Sequence, residues 1–121
     1  MSKLLIAVID DDESFRGALV ECLGARGYGA RGFASAEEFI AREADASCNC
    51  VITDIHMPGM SGLQLARLLT ARHRRVPVVM VTARSDLGTD AQAAAYGAFC
   101  LLRKPFQTDA LIDCIEKALQ V

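Results

Sequence analysis

No stretch of this chain is apolar for long enough to cross a bilayer, and no secretory leader opens it. The apolar run at residues 4–9 is shorter than a signal core and stops in Asp10-Asp11-Asp12, which neither kind of segment tolerates. Cys-x-x-Cys is absent. The five cysteines are odd in number and sit mostly in apolar runs, and Cys48-x-Cys50 lacks the second pair that a zinc site needs. They read as small hydrophobes in a reducing compartment. Basic charge is not in excess: 13 Lys and Arg against 15 Asp and Glu leave a net charge of −2, which argues against direct nucleic acid contact. Linkers, repeats and low-complexity segments are missing too. What remains is a cytoplasmic globular chain, 52% hydrophobic and 23% charged, whose 121 residues suffice for one core, so residues 1–121 are read as one domain.

Hydrophobic periodicity alternates strand and helix five times. Residues 3–9 form a near-continuous aliphatic run, as in a parallel strand covered on both faces. A helix over 13–26 follows, with Phe15, Ala18, Leu19, Cys22 and Leu23 in one stripe and Gly27 as its stop. Residues 28–33 make a poor strand, interrupted by Gly29 and Gly32 and therefore placed at an edge. The helix over 35–42 opens with a Ser35/Glu38 capping box and buries Ala36, Phe39 and Ile40. A strand at 50–53 precedes a helix over 61–73 with Leu65, Leu68 and Leu69 on one face. The fourth strand, 76–81, has Pro77 near its start. The alanine-rich helix over 86–96 buries little area and should be loosely held. A strand at 98–102 and a helix over 108–119, with Leu111, Cys114, Ile115, Ala118 and Leu119 at helical spacing, complete the pattern. Five such units are too few for a barrel. They predict an α/β, flavodoxin-like, doubly wound five-stranded parallel sheet in the order 2-1-3-4-5, with five helices on its two faces and a working crevice beyond the carboxyl ends of the strands.

The residues at those ends carry the chemistry. The first strand runs into Asp10 and Asp11, the third into Asp54, the fourth into Thr82 and the fifth into Lys104-Pro105-Phe106. Three converging carboxylates raise one another's proton affinity unless a cation joins them. Hard oxygen donors without a His or Cys cluster favour Mg²⁺, which keeps positions open for a phosphate oxygen. Two charges from the metal and one from Lys104 balance the three acids. Asp54 then has the geometry of a nucleophile toward phosphorus, Thr82 donates a hydroxyl to one phosphoryl oxygen, and Lys104 contacts another. The cluster Arg72-His73-Arg74-Arg75 is read as the cationic carboxyl end of the third helix, on the pole opposite the acids.

The stretches Val8-Ile9-Asp10-Asp11-Asp12, Asp54-Ile55-His56-Met57-Pro58-Gly59-Met60-Ser61-Gly62, Val81-Thr82-Ala83 and Lys104-Pro105-Phe106 resemble the CheY-like receiver domains of two-component response regulators. Residues 33–39 and the turn 57–62 are most similar to the FixJ-type subgroup. The resemblance implies a phosphorelay role, with Asp54 taking a phosphoryl group from a phosphohistidine on a sensor histidine kinase or a histidine phosphotransfer protein. It implies metal ligation by Asp11, Asp54 and the backbone carbonyl of His56, with Asp10 acting through water, and a cis bond before Pro105 that aims Lys104. It implies no enzyme beyond assistance to the domain's own phosphorylation and dephosphorylation.

Two further expectations concern output. The face made by the fourth helix, fifth strand and fifth helix adjoins Thr82 and Lys104 and should shift on phosphorylation, controlling an output domain, a protein target or a homodimer. Leu101 stands where receivers usually carry an aromatic switch residue, and His56 and Arg84 occupy the positions that tune phosphoryl lifetime. The alternatives are a degenerate receiver acting as a constitutive interaction module, a single-domain regulator, and a fragment of a longer regulator or hybrid kinase. A flavin carrier is excluded because the loop after the first strand is acidic and would repel phosphate. An aspartyl-phosphate hydrolase would pair Asp54 with a second acid two residues on, where His56 stands.

Overall fold

A computed structural model of the chain describes residues 4–42, 47–72, 76–83 and 88–120. Among these the order is β1 (Leu5–Ile9), α1 (Glu13–Ala25), β2 (Gly29–Phe33), α2 (Ala36–Ala41), β3 (Cys50–Asp54), α3 (Gly62–Thr70), β4 (Val78–Thr82), α4 (Thr89–Ala95), β5 (Cys100–Arg103) and α5 (Thr108–Leu119). Every strand pair is parallel and the sheet runs β2-β1-β3-β4-β5, so the doubly wound, flavodoxin-like architecture stands, with the glycine-bearing β2 at an edge. No helix among the described residues is long and apolar enough to cross a membrane.

Two-residue alternation builds a core on each side of the sheet. Ile6, Val8, Cys50, Ile52, Val79 and Val81 pack with Leu19 and Leu23 of α1 and with Leu111, Ile115 and Ala118 of α5. Ala7, Ile9, Val51, Val78 and Met80 pack with Ala36 and Phe39 of α2, Leu65 and Leu69 of α3, and Ala93 of α4. Each large aliphatic side chain so buried contributes roughly 1.5–3 kcal/mol. Burial also pushes the Cys50 thiol up to about 12, in keeping with a hydrophobe rather than a nucleophile.

Several boundaries move for local reasons. Strand β4 starts after Pro77 rather than at 76, because the Pro77 carbonyl accepts from Val51 N–H and the proline itself brings no donor. Strand β5 starts at Cys100 rather than 98, since Ala98 N–H instead closes α4 on the Ala93 carbonyl. Helix α1 ends at Ala25, with Gly27 at φ +92°, a left-handed conformation that favours glycine. The stripe on α1 is narrower than expected: Leu19 and Leu23 are buried, Phe15 and Cys22 half-buried, and Ala18 exposed.

Ser35 and Ser61 cap α2 and α3 from outside the helices. The capping box expected at Ser35 forms only in part, because the Glu38 carboxylate accepts from Ala34 N–H (3.1 Å). The full reciprocal box is at Ser61 and Gln64. Helix α3 ends at Thr70, whose hydroxyl turns back to the Ala66 carbonyl (2.8 Å); residues 73–75 of the basic cluster lie outside the described residues. Helix α4 runs from Thr89, after Gly88 at φ +89° and without a side-chain cap, and Thr89 and Ala93 are buried; the start expected at 86 lies outside the described residues.

Candidate functional site

The alternation that builds the α1/α5 core also aims the site. Continuing 6-8-10 on β1, 50-52-54 on β3 and 100-102-104 past β5 brings Asp10, Asp54 and Lys104 to the same side of the carboxyl rim. Lys104 Nζ lies 3.0 Å from Asp10 Oδ2 and 3.2 Å from Asp54 Oδ2, linking residues 94 and 50 positions away in sequence. Asp10 is 1% exposed and Asp54 8%, whereas Asp11 is exposed. One carboxylate oxygen from each of Asp10, Asp11 and Asp54 lies within 4.8 Å of the others. The Lys104–Pro105 peptide is cis, and Lys104 N–H donates to the Thr82 carbonyl (2.7 Å).

Backbone donors hold the carboxylates from behind. Asp10 Oδ1 accepts from Asp12 N–H (2.9 Å) and Asp54 Oδ1 from His56 N–H (3.1 Å). The loop after β3 is tied to α2: Met60 N–H donates to Glu37 (2.8 Å), which holds that carboxyl below its usual range. Gly59, at φ +78°, passes so close that a Cβ would overlap the Glu37 carboxylate. Gly62 lies against β3 itself, where a Cβ would overlap the Asp54 carbonyl oxygen. Phe15, read from sequence as core, packs against the α1/α5 core and in addition sits under the Lys104 ammonium (4.0 Å to the ring centroid) and meets Phe106 edge-on at 6.1 Å. Glu37, Gly62 and this use of Phe15 were missed because each partner lies on another element.

Thr82 is fully buried at the end of β4, one residue beyond Val81, which pairs with Asp54. His56 is exposed, and its backbone N–H is the atom bonded to Asp54. Arg84 lies outside the described residues. Leu101 is half-buried against the α2/α3/α4 core.

Burial raises the Asp10 carboxyl above 3.8; the Asp12 amide and Lys104 oppose this, and the Asp54 charge adds to it. For Lys104, burial alone would lower the ammonium, but its bonds to Asp10 and the charge of Asp54 outweigh this and raise it. A carboxyl whose folded value is raised supports the fold below its unfolded value, and that contribution is lost as pH climbs through the raised one. Asp10→Asn, which mimics the neutral acid, is therefore expected to melt higher than the wild type at pH 7 in EDTA, with the gap closing toward pH 3. Identical melting curves at pH 7 would contradict this account of Asp10.

The donor set suits a hard cation. It is all oxygen, with no imidazole or thiolate among the clustered atoms. Octahedral Mg²⁺ at about 2.1 Å from its ligands sets neighbouring ligand oxygens about 3 Å apart and opposite ones about 4.2 Å apart, separations that fall inside the 4.8 Å enclosing these carboxylate oxygens.

The chain matches the model of the response regulator receiver domain over residues 6–116. It is 34% identical over 115 residues to the transcriptional regulatory protein FixJ of Bradyrhizobium diazoefficiens, covering 95% of this chain and 56% of that protein. It is 36% identical over 119 residues to the DNA-binding transcriptional regulator NtrC of Salmonella typhimurium, covering 98% of this chain and 25% of that one. The chain thus spans about a quarter to a little over half of these relatives. The crystal structure of FixJ-N superposes with a TM-score of 0.89 at 31% identity, covering 99% of this chain and 96% of that one. The low-resolution structure of the response regulator StyR also gives 0.89, at 37% identity and with 98% of this chain and 60% of that one covered. A fold with its acids and lysine at one rim, and this likeness along nearly the whole sequence, place the chain in the response regulator receiver domain family, as a signalling domain rather than an enzyme.

Proposed function

We propose that residues 1–121 form one receiver domain in which Asp54 accepts a phosphoryl group from the phosphohistidine of a sensor histidine kinase or histidine phosphotransfer protein. The observation that carries this is the Lys104 ammonium held between two buried acids, 3.0 Å from Asp10 and 3.2 Å from Asp54. The Asp54 carboxylate attacks phosphorus in line with the departing imidazole nitrogen; the new P–O bond forms as the P–N pair returns to the ring. Lys104 faces the developing charge on one phosphoryl oxygen, and the Thr82 hydroxyl donates to another. Asp11, Asp54 and the His56 carbonyl would hold Mg²⁺, with Asp10 reaching it through water. The ion would supply the charge that lets a dianionic phosphoryl group approach three acids.

The output follows from how weakly α4 is held. Its small buried area and uncapped start make the α4/β5/α5 face the part whose populations a phosphoryl group at Asp54 shifts, toward a partner, an output domain or a second copy of the domain in the cytoplasm. Mass spectrometry after incubation with acetyl phosphate or phosphoramidate is the test. One phosphoryl adduct per chain is expected with Mg²⁺ and none with EDTA. A chain that never gains mass is a degenerate receiver, and the proposal fails.

A further inference from the structure

The geometry points to Arg16 as a positioning residue for the metal-binding acids, with Gly32 as the space that admits it; this rests on the phosphoacceptor reading above. Arg16 Nη1 donates to the Asp10 backbone carbonyl at 2.7 Å. That carbonyl belongs to the peptide joining Asp10 to Asp11, so the guanidinium fixes the plane from which both carboxylates depart.

The other polar atoms of Asp10 are also engaged. Its N–H donates to the Phe33 carbonyl (3.1 Å), Oδ1 accepts from Asp12 N–H (2.9 Å) and Oδ2 from Lys104 (3.0 Å). The Arg16 contact closes a ring through the start of α1. Asp12 Oδ1 accepts from Phe15 N–H (3.1 Å), the Asp12 carbonyl accepts from Arg16 N–H (2.9 Å), and the Arg16 side chain returns to Asp10. Turn, helix cap and acid are therefore one closed circuit.

Gly32 is the second observation. A Cβ there would stand 3.1 Å from both Cγ and Cδ of Arg16 and 3.5 Å from Nε, so the arginine stem crosses β2 where that strand has no side chain. Gly32 marks β2 as a poor strand by sequence, yet its bare backbone is what lets the half-buried Arg16 reach the rim.

Two roles for Arg16 predict opposite signs. A cation near three acids repels Mg²⁺, so if its charge dominated, neutralising it would tighten metal binding. If it orients the acids, as proposed here, neutralising it weakens binding, because supporting contacts behind metal ligands carry about tenfold or more in affinity. Calorimetric titration with MgCl₂ decides between them. Arg16→Gln is expected to bind Mg²⁺ about tenfold more weakly than the wild type, with Arg16→Lys recovering part of the loss. Gly32→Val should reproduce the weakening while suiting the strand, since a β-branched residue is at home in an exposed strand position. The two changes act through one contact, so the double variant should lose no more than Arg16→Gln alone. Melting in EDTA separates this from a merely structural role, which would lower the midpoint and leave the affinity of the folded protein unchanged.

Unchanged or tighter Mg²⁺ binding by Arg16→Gln, or losses that add fully in the double variant, overturns the assignment and leaves the phosphoacceptor reading intact. A wild-type chain that binds no Mg²⁺ overturns both.

Discussion

Asp54→Asn is expected to abolish phosphorylation outright while the protein stays folded. The amide keeps the shape of the carboxylate but presents no anionic oxygen to phosphorus, and among the described residues no neighbouring group is placed to substitute. Asp10 is buried behind Lys104, and Asp11 stands at the exposed margin of the cluster. The variant also removes one of the three carboxylates, so Mg²⁺ affinity should fall as well. Stability should change little, since Lys104 loses one acid partner at 3.2 Å but retains Asp10 at 3.0 Å. Incubation with acetyl phosphate and Mg²⁺, read by intact-mass spectrometry beside the wild type, measures this. An adduct of undiminished yield on the variant would show that the nucleophile lies elsewhere.

Gly62→Ala should have the largest effect on the fold. A Cβ at this first position of α3 would overlap the Asp54 carbonyl oxygen and come within 3.0 Å of Ile55 Cα, both of them backbone atoms that cannot rotate away. The α3 terminus is fixed in turn by Gly62 N–H on the Ile55 carbonyl (2.9 Å) and by the Ser61/Gln64 box. Overpacking of this kind costs roughly 2–3 kcal/mol, or about 10 °C in melting temperature for a domain of this size. Gly17 and Gly24 on α1 supply the contrast: nothing lies within 4 Å of a Cβ at either, so alanine there should stabilise by roughly 0.5–1 kcal/mol. Thermal melts of the three variants measure both signs. A Gly62→Ala midpoint equal to that of the wild type would mean the loop after β3 moves freely off the strand.

Most of the architecture was legible because its signals are local. The aliphatic runs, the Gly27 stop, the Ser35 cap and the Pro77 boundary are each decided by a few adjacent residues, and the element order then leaves little freedom in topology. The acids and Lys104 were legible for the same reason, since each closes a strand. The start of β5 was not, because a half-buried segment carries little periodicity, and the bond from Ala98 to the Ala93 carbonyl outweighs the apolar character of residues 98 and 99. Phe15 was legible only as a core contact, because an aromatic on the apolar stripe of a helix gives no sign from sequence that a lysine from a distant loop also lies over it.

The sequence by itself determined the alternation of strand and helix, the weak edge and the gathering of three acids, a threonine and a lysine at one rim, since period and turn chemistry act over short stretches of chain. Only the tertiary structure decided which oxygen meets Lys104, that Arg16 crosses a bare glycine to hold the Asp10 carbonyl, and that Glu37 ties down the loop after β3. Those contacts depend on register and on the angle at which helices cross the sheet. Both are set when all five strands are in place, so no single stretch encodes them.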